Sequence, residues 1–419
     1  MATPPVTLPA VDELYAARAA GQTGSPIDAS TSLLEGVEHD VVRLAMGSPA
    51  SELVPTELFE RLLSDAAADG AGTFDYGPTE GERGLREQLL AFLAQRDVPV
   101  DPAELLITTG GMQGLDLVAK LFVGAGDLVA VESPTYTNGT ATISGYEGTM
   151  VEIPGDEDGM DVEALAALGA SGRVPKLIYT IPTFQNPAGT TLSLERRIRL
   201  VELAAAWGAI VLEDDPYSLL RFAGEELPSL RALASGRARV IGVHTFSKLL
   251  APGLRVGWLV AEPEVVALMV NARQAMDTCT NTPLQRLVAG FLAGGHLDAH
   301  LAALRAEYRV RKHAMQRALA EELAGLDVRW TDPQGGFFLW LTLPEGIDAE
   351  ALAPLALEEG VAYIPGSAFS ISHGFRNALR LAFSAEPPDR AREGIRRLRR
   401  AIDRQLSTAP ERPVLGGAR

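Results

Sequence analysis

Cysteine is almost absent: Cys279 is the only one in 419 residues. It has no partner for an internal disulfide, and such usage belongs to a reducing compartment, so a cytoplasmic location is expected. The six histidines form no ligand cluster. His296 and His300 share i,i+4 spacing, but no Glu follows His296 as a zinc-protease helix requires, so both read as solvated helix residues. No run of 18 apolar residues exists, which argues against a membrane span. Residues 1–12 lack the charged and apolar segments of a secretory signal. Positive charge is scarce: 37 Lys and Arg against 54 Asp and Glu leave a net charge of −17. That balance repels phosphate backbones and anionic lipid, so neither nucleic acid nor membrane is an expected partner.

What is present suits a large α/β enzyme. Hydrophobic side chains make up 47% of the chain, enough for a large core and two subdomains. The 41 glycines and 27 prolines fit a loop-rich fold. Apolar runs at 105–108, 128–132, 150–153, 176–180, 210–213, 240–244 and 256–260 read as strands. Helical patterns such as 115–123 and 194–207 lie between them. This alternation predicts a mainly parallel sheet of seven strands between helices, with ligands beyond the strands' carboxyl ends. From about 301 a long helix is expected, followed by a smaller α+β segment with a strand at 335–340. The final helix places Ala391, Ile395, Leu398 and Ile402 on one face. Its arginines, 390, 392, 396, 397, 399, 400 and 404, read as a solvated opposite face, not a nucleic-acid surface. The expected division is a flexible arm at 1–28, small-domain residues at 29–60 and 301–406, a large domain at 61–300, and a flexible tail at 407–419.

Five segments carry chemistry. Lys248 follows a buried strand, between Thr245 and Ser247 on one side and Arg255 on the other. Burial and nearby cations make a lysine amine lose its proton more easily, which turns it into a nucleophile for carbonyl carbon. Hydroxyls with a guanidinium suit a phosphate dianion. An aldehyde bearing a phosphate satisfies both demands, and pyridoxal phosphate fits. Gly110, Gly111 and Met112 open a helix after a strand, where free N–H groups attract phosphate; a packing turn is the plain alternative. Asp214, with Asp215 as its nearby competitor, ends an apolar strand three residues before Tyr217; a buried carboxylate there can keep a pyridine nitrogen protonated. Asn186 lies in an Asn-Pro-x-Gly turn, otherwise ordinary loop chemistry. Arg380 sits amid apolar residues, where a guanidinium usually meets a carboxylate of the protein or of a ligand.

Taken in order, these motifs carry a resemblance. Ser-Lys-x-x-x-Pro-Gly-x-Arg-x-Gly at 247–257 and Pro-x-x-x-Asn-Pro-x-Gly at 182–189 resemble the fold-type I aminotransferases of class I/II. The branch is that of aminoadipate and kynurenine aminotransferases and the aminotransferase-like domains of certain bacterial regulators. The likeness runs from about 44 to 406. It implies a pyridoxal 5′-phosphate enzyme with Lys248 as the Schiff-base lysine, moving an amino group from an amino acid to a 2-oxo acid by a ping-pong mechanism. It implies backbone contacts to the cofactor phosphate at Gly110, Gly111 and Met112, where the family often has a Ser-Gln pair. It places Tyr136 on the pyridine face, Tyr217 and Asn186 at the ring 3′-oxygen, and Arg380, Asn186 and Gly47 at the substrate. Tyr76 would reach the phosphate of a neighbouring subunit, which implies a homodimer. Every residue named also serves elimination, oxidation or cyclisation of an amino acid. A non-catalytic ligand sensor is a further alternative, but such regulators carry a basic helix-turn-helix module ahead of the domain, and fewer than 45 residues precede the likeness here.

Overall fold

Strands that are apolar at every position must be covered on both faces, and this requirement organises the molecule. The computed structural model describes residues 10–22, 24, 25, 27, 36–96 and 98–408. The expected tail from 409 on, and residues 1–9 and 28–35 of the expected arm and small domain, lie outside the described residues.

Among the described residues the main sheet holds β1 (Leu105–Thr108), β2 (Leu128–Ser133), β3 (Thr149–Asp156), β4 (Gly159–Met160), β5 (Leu177–Thr180), β6 (Ile210–Asp214), β7 (Arg239–Thr245) and β8 (Gly257–Val260). Their spatial order is β1-β8-β7-β6-β5-β2-β3-β4. Neighbours from β7 to β3 run parallel. β8 is antiparallel to both β1 and β7. All seven expected strands are present. The addition, β4, is a two-residue hairpin turned back on β3, too short to show a sequence period. β1, β5, β6 and β8 are buried at every position, with helices such as α1 (Gly111–Phe122), α2 (Thr137–Gly145) and α3 (Leu194–Trp207) alongside. The carboxyl ends of β2, β5, β6 and β7 face one edge, and the loops leaving them carry Tyr136, Asn186, Tyr217 and Lys248.

The long helix α4 spans His296–Glu322, starting earlier than expected because Gly295, at φ +68°, breaks the chain just before it. His296 is exposed, but His300 is half-buried and its Nε2 lies 2.8 Å from the Leu249 carbonyl oxygen. The expectation of two solvated histidines is corrected at His300: one face of α4 packs on the segment that carries Lys248, and burial lowers the basicity of that imidazole.

A second, antiparallel sheet contains β9 (Arg329–Trp330), β10 (Phe338–Thr342), β11 (Ile364–Pro365) and β12 (Ala378–Ala382), in the order β9-β10-β12-β11. β10 begins at Phe338 rather than 335. Gly335 and Gly336 form the preceding turn, and a Cβ at Gly335 would lie 2.2 Å from the Phe184 ring. In the final helix α5 (Pro388–Thr408), Ala391, Ile395, Leu398 and Ile402 are buried as expected. Its arginine face is more than solvated. Arg390 and Arg397 pair with Asp40, Arg392 and Arg396 with Glu322, and Arg400 and Arg404 with Glu359. Among the described residues no single helix is long and apolar enough to cross a membrane, and no group of His, Cys, Asp and Glu is arranged to hold a metal ion.

Candidate active site

At the carboxyl edge of the main sheet lies a cavity of about 230 Å³. Gly47, Gly111, Met112, Tyr136, Asn186, Asp214, Tyr217, Thr245, Ser247, Lys248, Arg255 and Arg380 all line it. Twelve of the residues singled out in the sequence therefore meet in one place. Gly110 lies directly beneath Arg255: a Cβ there would fall 2.7 Å from Nη2, and its φ of +78° also favours glycine. Tyr76 does not join them. It is 82% exposed on the turn after a short helix, next to Phe74, which is 70% exposed.

Lys248 leaves the turn that follows β7, and its Nζ donates to the Gly47 carbonyl at 2.7 Å. Loss of hydration, with the positive charges of Arg380 and Arg255, brings its amine down to about 8. Thr245 donates from its hydroxyl to Ser247 Oγ at 2.9 Å, and Arg255 Nη1 reaches the same oxygen at 3.4 Å. Among the described residues no side chain caps the start of α1, so its first N–H groups remain for an anion. Two hydroxyls, a guanidinium and a helix N-terminus thus lie together, a donor set whose chemistry suits a phosphate.

Asp214 ends β6 and accepts a hydrogen bond from the Tyr179 hydroxyl at 2.9 Å. Burial pushes its carboxyl up to about 7. The competitor Asp215 turns away: it accepts from the Ser218 amide at 3.0 Å and stands 3.7 Å from His244 Nδ1, and it lines a different cavity. Tyr217 is buried against Phe337 and Phe338, with ring centroids 5.5 and 5.9 Å away, and burial raises its phenol above the usual range.

Arg380 lies on β12, in register with Trp340 and Ile364. Nη1 donates to Asn186 Oδ1 at 2.9 Å and Nη2 to the Ala45 carbonyl at 2.6 Å, while Nε is buried with no partner among the described residues. The guanidinium carbon stands 4.2 Å from the Phe338 ring centroid. Burial lowers this guanidinium to about 10. Among the described residues no carboxylate lies within 4.0 Å of it. A desolvated guanidinium of that kind is built to receive an anion.

Sequence reasoning missed Tyr179, Phe338 and Ile27, all in or against this site. Tyr179 pairs with Leu212 across β5 and β6, so it and Asp214 leave the sheet on the same face. Only that register reveals it.

The model of the family described as aminotransferase class I and II matches residues 39–398. The chain belongs to this family. The aromatic-amino-acid aminotransferase 1 of Thermococcus litoralis is 39% identical over 94% of this chain and 95% of its own length. Kynurenine aminotransferase from Pyrococcus horikoshii, solved with PMP, superposes with a TM-score of 0.87 at 38% identity, covering 94% of this chain and 98% of that one. The α-aminoadipate aminotransferase of Thermus thermophilus, solved with N-(5′-phosphopyridoxyl)-L-leucine, gives 0.88 at 36% identity, over 96% and 100%. The protein is thus a pyridoxal 5′-phosphate-dependent aminotransferase, with the expected fold. The cavity fits that cofactor. The aminotransferase offers it an amine with a lowered proton affinity, a receptor for a dianion, and a buried carboxylate free to meet an aromatic N–H.

Proposed function

We propose that this aminotransferase moves the amino group of an L-amino acid to a 2-oxo acid, with Lys248 as the residue that carries the proton. The observation that supports this most is the half-buried Lys248 amine, held 2.7 Å from the Gly47 carbonyl and sharing one cavity with Asp214, Arg255 and Arg380. Thr245, Ser247, Arg255 and the amides of Gly111 and Met112 would hold the cofactor phosphate. Asn186 and Tyr217 would bond the ring 3′-oxygen, Tyr136 would cover the ring face, and Asp214 would keep the ring nitrogen protonated. Pyridoxal phosphate, when bound, supplies an electrophilic carbonyl carbon and a ring that draws electrons from the substrate α-carbon.

The remaining work falls to side chains of this chain. Arg380 grips the α-carboxylate, and Asn186, bonded to Arg380, sets the distance between that grip and the ring. The Lys248 amine, neutral over much of the range above pH 8, takes the proton from the substrate α-carbon as general base and, once protonated, gives it back as general acid. The 2-oxo acid departs before the second one enters, so the kinetics are ping-pong. The three relatives act on aromatic amino acids, kynurenine and α-aminoadipate by their names, and these head the donor panel.

Phe74, exposed at the end of a short helix, and Tyr76, exposed on the turn after it, support a homodimer in which Tyr76 enters the partner's site. The free Cys279 supports a cytoplasmic location. Borohydride reduction followed by peptide mapping tests the central reading. A pyridoxyl group on Lys248 is expected, and its absence there sinks the proposal.

A further inference from the structure

Tyr179 has no part in the scheme above, yet it is fully buried and in contact with Asp214. We infer that Tyr179 is the positioning residue for Asp214: its hydroxyl fixes one carboxylate oxygen so that the other, kept ionised, meets the cofactor's ring nitrogen. This rests on the role proposed for Asp214.

Three observations carry it. The hydroxyl donates to Oδ2 of Asp214 at 2.9 Å, and among the described residues it is the one side-chain donor to that carboxylate. A carboxylate has two oxygens, and one firm donor on Oδ2 leaves Oδ1 as the free acceptor. The phenol also has no freedom to move away. A Cβ on Gly139 of α2 would lie 2.5 Å from the hydroxyl oxygen and 2.6 Å from Cζ, so only glycine there leaves room for the ring. α2 follows directly on Tyr136, which lines the cavity, so the ring is wedged between a cavity wall and the carboxylate.

The groups around Asp214 explain why a neutral donor is needed. Asp215, the next residue along the chain, and Glu132 near the end of β2 bring negative charge, Lys248 after β7 brings positive charge, and Tyr136 and Tyr217 bring further phenols. Burial and Asp215 favour the protonated acid, whereas the Tyr179 hydrogen bond and Lys248 oppose them. Tyr179 is itself pushed well above the usual phenol range by burial, so it remains a donor at every working pH. Lys248 must be free to move a proton, so its charge cannot serve as a constant support. Removing the hydroxyl raises the proton affinity of Asp214, and a protonated Asp214 cannot pair with a protonated ring.

The test uses Tyr179→Phe in the cofactor-loaded enzyme, read by three measurements besides turnover: the cofactor dissociation constant, the pH at which bound cofactor changes its absorption spectrum, and the acid limb of the kcat/KM profile. We expect the dissociation constant to rise at least about tenfold. The acid limb should move to higher pH by about one unit. Asp214→Asn is expected to be more severe, and adding Tyr179→Phe to it should cause little further loss. If Asp214→Asn is crippled while Tyr179→Phe keeps the wild-type spectrum, limb and affinity, the inference falls and the reading of Asp214 stands. If Asp214→Asn is near normal, both fall. Should Tyr179→Phe not fold, Tyr179→His, which keeps a ring N–H, takes its place: cofactor affinity closer to wild type than to Asp214→Asn supports the inference, and affinity equal to Asp214→Asn overturns it.

Discussion

Arg380 donates from Nη1 to Oδ1 of Asn186 across 2.9 Å, joining a strand of the small sheet to the turn that follows β5. A guanidinium only donates, so the atom facing it must be the amide oxygen, and the amide NH₂ is left to donate elsewhere. In the proposed function the contact therefore sets which end of Asn186 would be offered to the ring 3′-oxygen. Nε of Arg380 is buried with no partner among the described residues.

Replacing Arg380 with Lys should lower kcat/KM for amino acids by about a hundredfold, since a point charge replaces a planar fork that also bonds Ala45 and Asn186. Amine donors that lack a carboxylate should lose far less. Steady-state kinetics on matched pairs of donors checks this; equal losses for both would remove the carboxylate grip from Arg380.

The Lys248 amine titrates near 8 instead of near its ordinary 10.5. Its nucleophilic, neutral form should therefore grow as pH rises through about 8. Loading of the apoprotein with pyridoxal phosphate should accelerate across pH 7 to 9 and level off above it. A rate still climbing steeply at pH 10 would contradict the lowered proton affinity. Lys248→Ala should show no turnover at any pH.

Gly110→Ala forces a side chain into a left-handed backbone and against Arg255. A cofactor dissociation constant raised by about tenfold is expected, with a loss of apoprotein stability of about 1–2 kcal/mol. Titration calorimetry and thermal unfolding measure the two effects separately. Unchanged affinity would mean that Arg255 does not help to hold the phosphate.

Glu132 is buried at the end of β2, accepting from Thr180, Ile181 and Gln185, and burial raises it from 4.5 to about 7. A carboxyl whose folded value is raised binds more protons in the native state than in the unfolded chain between those two values. Its stabilising contribution is whole below about pH 4.5 and is lost as pH rises through about 7. Glu132→Gln cannot titrate, so the stability difference between wild type and variant should shrink over that window, by something on the order of 3 kcal/mol at most. Denaturant unfolding of the apoproteins at several pH values checks the sign. A difference that does not change with pH would place the ordinary carboxylate value at Glu132.

If Tyr76 acts in the partner's site, mixing subunits of Tyr76→Ala and Lys248→Ala should restore activity in the hybrids. One site in each hybrid then has both residues intact. About a quarter of wild-type activity is expected after random reassortment. No recovery despite measured subunit exchange would return Tyr76 to a surface turn.

Most of the cavity was legible because its residues sit at the ends of apolar strands, where strand and motif coincide: Lys248 after β7, Asp214 at the end of β6, Asn186 after β5. The two-residue hairpin β4 and the start of β10 were not, since turns held by close packing leave no period in the sequence. Tyr179 and His300 were invisible for a related reason. Each is defined by what lies across a sheet register or a helix face, Asp214 in one case and the Leu249 carbonyl in the other.

Gly335 and Gly336 have a consequence for how the protein works as a machine. Their turn seats directly on Phe184, two residues before Asn186, while β12 of the same sheet holds Arg380. The small sheet is thus keyed to the Asn186 turn at two places, like a bolt in its keeper. Whatever tugs on Arg380 is transmitted to the Asn186 amide, and a methyl group added at Gly335 would act as a shim, costing alignment before it costs the fold.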